Sequence, residues 1–143
     1  MSTDGLENEW DIALHGLLTG STAITDHLAS GTAGVHHELA PQNADHPLVV
    51  FNHQAETTVW TFDKIAYENL LYEVKAISIG ESFASAGTID AAIASVLNDG
   101  TPSVTDYGLL YARRESGVRF PEVIEGQRIN HRGGLYRIWL APA

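Results

Sequence analysis

Residues 65–97, IAYENLLYEVKAISIGESFASAGTIDAAIASVL, contain the change of period that decides the fold. The first half belongs to an extended segment from Phe62 to Ile79. There Ile65, Tyr67, Leu71, Ile77 and Ile79 share one parity, while Leu70, Tyr72, Val74 and Ala76 share the other. Side chains alternate faces along a strand, so apolar residues on both parities predict a central strand covered on two sides. From Ser82 the spacing becomes helical. Phe83, Ala86, Ile89 or Ala92, Ile93, and Val96 with Leu97 give a core-facing stripe over residues 82–97. Asn98-Asp99-Gly100 supplies its stop, and Pro102 prevents continuation.

Upstream, Leu6, Trp10, Leu14, Leu17 and Leu18 recur at helical spacing. Asp4 with Glu7 reads as a variant capping box, and Gly20 as the stop. A shorter helix is expected from Thr22 to Leu28, broken by the Ser-Gly-Thr-Ala-Gly run at 30–34. Val35 to Leu39 reads as a short strand ended by Ala40-Pro41. A polar loop then leads to His46-Pro47, and Pro47 biases His46 toward extended backbone. Leu48-Val49-Val50-Phe51 is a dense strand signal that continues with alternation through Asn52, Gln54 and Thr57. Downstream, Tyr107 to Arg114 and Val123 to Leu140 are the two closing extended segments, with Gly133-Gly134 expected as a bulge or bend. The expected fold class is α+β, a mixed or mainly antiparallel sheet of about four or five strands against two or three helices. No internal repeat or linker divides the chain, so residues 1–143 are expected to form one domain.

Composition narrows the function classes. The chain has 143 residues, 44% of them hydrophobic, enough for a single core of ordinary size. It has no cysteine, which excludes disulfide scaffolds, thiol-bearing zinc sites and cysteine nucleophiles. The N-terminus shows no signal-peptide pattern, and no apolar run approaches the roughly 20 residues of a membrane helix. A soluble protein, made inside the cell, is expected. With 8 basic against 18 acidic residues the formal net charge is −10, which argues against gripping a phosphate backbone.

Catalytic motifs are missing. His36, His37, Glu38, His46 and His53 carry metal-binding side chains, but adjacent strand residues point to opposite faces, so His36 and His37 cannot share an ion without a bulge. No His-Glu-x-x-His helix, Walker A loop or G-x-G-x-x-G turn can be written from the sequence. Ser21, Ser82 and Ser116 lack the G-x-S-x-G setting of a nucleophile elbow. Arg132-Gly133-Gly134 is one copy of an RNA-binding tripeptide in an acidic chain and reads as a strand bend. Arg113-Arg114-Glu115 reads as an exposed edge or subunit contact. No catalytic, cofactor-binding or metal residue is assigned, and no cofactor is expected.

A family resemblance enters at residues 35–51. Val35-His36-His37-Glu38-Leu39-Ala40-Pro41, the polar loop Gln42 to Asp45, and His46-Pro47-Leu48-Val49-Val50-Phe51 follow two N-terminal helices. This succession resembles the tail completion, or tail terminator, proteins of long-tailed phages with non-contractile tails. The long strand, the helix at 82–97 and two closing strands match in order and approximate length, so the resemblance covers nearly the whole chain. One departure is Thr32-Ala33-Gly34, where family members often carry an arginine and a tyrosine.

The resemblance implies a non-catalytic virion protein at the head–tail junction. It implies a ring, hexameric in the family, that caps the tail tube, stops its polymerisation and docks the head-side connector, leaving a channel through which DNA passes. The implied partners are further copies of the chain, the tail tube protein and a head-side connector or stopper. Two alternatives remain open: another junction part, either a stopper or an assembly adaptor, and a metal-assisted enzyme using His36, Glu38 and His53. Candidate subunit or partner contacts are Asn52, Gln54, Glu56 and Thr58 in one polar loop, Arg113, Arg114 and Arg119 in another, and Arg128.

Overall fold

The computed structural model describes residues 8–98 and 103–143. Five strands form one mixed sheet: β1 (Val35–His37), β2 (Leu48–Trp60), β3 (Ile65–Ile79), β4 (Tyr107–Ile124) and β5 (Gln127–Pro142). Their order is β1-β2-β3-β5-β4, with β1 parallel to β2 and every other neighbour antiparallel. Helices α1 (Glu9–Thr19), α2 (Thr22–Thr25) and α3 (Ala84–Leu97) cover one face, so the α+β reading holds.

β3 is central, as its composition predicts, but only its even positions are fully enclosed. Leu70, Tyr72, Val74 and Ala76 are buried beneath the helices. Tyr67, Leu71 and Ile77 are half-buried on a face that carries no helix among the described residues, so the expected second cover is a correction. Aromatic stacking shields part of that open face: Trp139 lies 5.1 Å from Tyr67 and 4.9 Å from Tyr111, ring centre to ring centre.

Between helices and sheet lies the core. It joins Leu14, Leu18 and Ile24 to Ile89, Ile93 and Leu97, all packed on the Phe51, Val74, Tyr136 and Leu140 side of the sheet. α1 is capped by Asn8, whose side chain accepts from the Asp11 amide at 3.1 Å. The helix therefore begins after the expected Asp4–Glu7 box, whose residues lie outside the described ones, as do Asp99, Gly100 and Pro102. Phe83 corrects the phasing of α3. It precedes the helix, and its half-buried ring lies between the guanidinium groups of Arg119 and Arg128, 5.3 and 5.2 Å away.

The closing segments form one long hairpin. β4 and β5 turn at Glu125-Gly126, both with positive φ (51° and 80°), the backbone of a tight two-residue turn. The expected Val123–Leu140 strand thus spans this turn. Gly133 and Gly134 are not a bulge: β5 runs in register past both. A Cβ on Gly133 would come within 2.2 Å of the Val74 carbonyl oxygen, and one on Gly134 within 2.7 Å of Arg114 Nε. Glycine is required there because backbone and a guanidinium cross so closely. The bulge sits on the partner strand instead, between Arg114 and Ser116.

Candidate functional site

The histidines do not assemble into a site. β1 places His36 and His37 on opposite faces, and His37 shares the helix-covered face with His53. Glu38 leaves the strand with φ 66° and an exposed carboxylate. His36, Glu38 and His53 therefore fail to converge, which removes the geometry that the metal-assisted alternative needs. No cluster of three His, Cys, Asp or Glu suited to a metal exists among the described residues.

Several of these rings pack instead into the seam between α1 and the sheet. His53 stacks on Tyr72 at 5.1 Å, His37 packs on Phe51 at 5.1 Å, and His15 lies 6.1 Å from the same Phe51. The Tyr72 hydroxyl donates to the buried Asp11 carboxylate, and His37 Nε2 lies 3.6 Å from the other Asp11 oxygen. Burial pushes His15, His36 and His46 below the usual histidine range. At His15 a hydrogen bond from the ring to the Val35 backbone opposes this, while the charge of His37 adds to it. The arrangement packs His15, His37 and His53 as rings against Phe51 and Tyr72.

A second buried node ties α3 to the hairpin. Arg114 donates to both Asp90 oxygens, at 2.9 and 3.2 Å, and to the Gly133 carbonyl at 2.8 Å. Burial opposes its charge, but the hydrogen bonds and charge of Asp90 outweigh that and raise its pKa further. Burial also raises Tyr136, against the lowering effect of Arg114. Sequence reading passed over Asp90, yet its phase was visible: an aspartate beside Ile89 and three residues before Ile93 stands in a core stripe and needs a cation.

The expected contact residues occupy strands, which corrects their assignment to loops. Asn52, Gln54, Glu56 and Thr58 lie along β2 beyond Phe51, the last residue that β1 pairs. Arg113, Arg114 and Arg119 lie on β4, the outer strand at the opposite end of the sheet. Arg128, on β5, donates to Asn130 Oδ1 at 2.8 Å and to the Glu81 carbonyl at 2.9 Å. Thr58 donates to Glu68 at 2.8 Å. Arg114 and Arg128 thus spend donors within the subunit; the Arg113 guanidinium sits 5.5 Å from the Tyr111 ring.

Among the described residues, the two sheet borders are the features left for function. The profile of the family described as tail completion protein gp17 matches residues 12–124. The chain belongs to that family. Membership of the tail completion family makes it a structural protein of the phage tail, located in the virion. A comparison with curated proteins finds no match. Among solved structures, one chain of the virion of a native gene transfer agent particle has the same fold. It aligns with a TM-score of 0.66 at 14% identity, over 91% of this chain and 92% of that one. At that identity the likeness speaks to the fold; the family supplies the functional class.

Proposed function

We propose that this tail completion protein closes the end of the tail tube as a ring of six subunits, stops tube polymerisation and presents a docking face to the head-side connector. The observation that carries this reading is the family match over residues 12–124, joined to a sheet whose two borders lie at opposite ends. A subunit with a different border at each end makes head-to-tail contacts, and these close into a ring when the rotation between copies divides a full turn.

The channel through such a ring must let a duplex pass without holding it. Eight basic residues against eighteen acidic ones leave little surface able to grip phosphates. The purified protein should show no measurable duplex binding at physiological salt in a gel-shift assay; tight, salt-sensitive binding would overturn the conduit role. Particle imaging of the protein with assembled tail tube tests the ring itself. Closed rings at tube ends are expected, and a protein that stays monomeric on intact tubes would overturn the proposal.

A further inference from the structure

Charge along this chain is divided between the closing hairpin and the rest of the sequence. The β4–β5 hairpin, residues 107–142, holds six of the eight Lys and Arg and three of the eighteen Asp and Glu, a formal +3. The remainder carries two basic and fifteen acidic residues, a formal −13. β4 is the outer strand at the basic end, while the acidic end presents β2, which β1 pairs only through Val49, Val50 and Phe51.

Both borders have the character of pairing templates. β4 runs for 18 residues and pairs with no second strand among the described residues; outside the β5 ladder it meets an isolated bridge from Tyr107 to Val104 and a hydrogen bond from the Arg114 amide to Asn98 Oδ1 at 3.0 Å. It exposes Leu110, Val123 and Ile124, and β2 ends at exposed Trp60, with exposed Phe62 just beyond it. Long, apolar, unpaired edges of this kind attract another strand unless something covers them.

Register and direction also agree. The ladders put Ala55, Leu71, Arg137 and Arg113 in one row across the sheet, and Thr57, Asn69, Trp139 and Tyr111 in the next. Three successive antiparallel pairings make β4 antiparallel to β2. A rotation about an axis along the strands therefore brings β4 of one copy to the level of β2 in the next, in an antiparallel sense.

We infer that the occupant of each border is a second copy of this chain. The outer edge of β4, on the basic hairpin, joins the free edge of β2, residues 55–60, on the acidic remainder of the chain, so that one continuous sheet runs around the ring with all helices on one side. This rests on the ring proposed above and adds which surfaces close it.

The absence of cysteine makes a direct test available. Ala55→Cys or Thr57→Cys is combined with Tyr111→Cys or Arg113→Cys, four double variants whose new side chains all lie on the open face. Within one subunit the two cysteines stand three strand spacings apart, about 14 Å, beyond the reach of a disulfide. Oxidation of assembled tube ends should give a ladder of covalent oligomers up to the full ring in at least one combination, and single variants should give dimers at most. In the unaltered protein, the amides of residues 55–60 and 107–113 should exchange more slowly once rings form, a readout independent of whether any variant folds. Rings by imaging without a ladder or protection would overturn the edge pairing and leave the ring intact. Monomers on intact tubes would overturn both.

Discussion

At the residue scale, Ile93 and Phe83 separate core from rim. Ile93 is fully buried between α3 and the sheet, so Ile93→Ala leaves a cavity and should cost about 2–5 kcal/mol. Phe83 sits ahead of the helix between two guanidinium groups, and Phe83→Ala should cost less than half as much, near 1 kcal/mol, as partly exposed sites do. Chemical denaturation of the two variants checks the order; equal losses would mean that Phe83 anchors the core after all. Gly133→Ala belongs at this scale too. Its methyl would meet Val74 and Lys75 backbone atoms at 2.2 and 2.4 Å, which no rotamer change relieves. A loss of about 3 kcal/mol, the upper end of ordinary overpacking, is expected in the same measurement.

At the scale of elements, the β4–β5 hairpin takes up residues 107–142, and its turn is imperfectly chosen. Gly126 takes its positive φ freely, whereas Glu125 holds φ 51° against the steric preference of an L residue. Asparagine tolerates that region better and is favoured before glycine in such turns. Glu125→Asn should therefore stabilise the protein by about 0.5 kcal/mol, seen as a small rise in Tm. A fall in Tm would show that the Glu125 side chain contributes something that the turn geometry does not reveal.

For the whole molecule, pH separates three partly buried histidines from the acidic surface. His15, His36 and His46 bind protons less readily folded than unfolded, because burial disfavours their charged forms. A lowered histidine pKa contributes stability that is present above about 6.5, the ordinary value, and is lost as pH falls through the folded value. Carboxylates titrate near 4, so relief of the −10 self-repulsion comes mostly below this window. Unfolding free energy should fall between pH 7.5 and 5.5. A flat profile there would show that these rings are as free to charge in the fold as in the unfolded chain.

The sequence by itself determined the α+β class, the order of helices and strands, and the apolar stripes at Leu14–Leu18 and Ile89–Ile93. Those features follow from local periods of 3.6 and 2, which each segment carries alone. It also singled out Asn52–Thr58 and Arg113–Arg119, which the structure places on β2 and β4 and which enter the proposed ring contacts. The long-range arrangement was decided only by tertiary structure. Which border faces outward depends on pairing between residues up to 72 positions apart, as Glu68 with Leu140, in the ladders of Ile65–Ile79 with Gln127–Pro142 and of the latter with Tyr107–Ile124. The same holds for the glycines at 133 and 134: nothing local distinguishes a bend from a crossing point until Arg114 and the backbone of Val74 arrive beside them. Asp90 and Asp11 were likewise passed over, because a buried carboxylate is intelligible only with its partner, and Arg114 and Tyr72 come from distant strands.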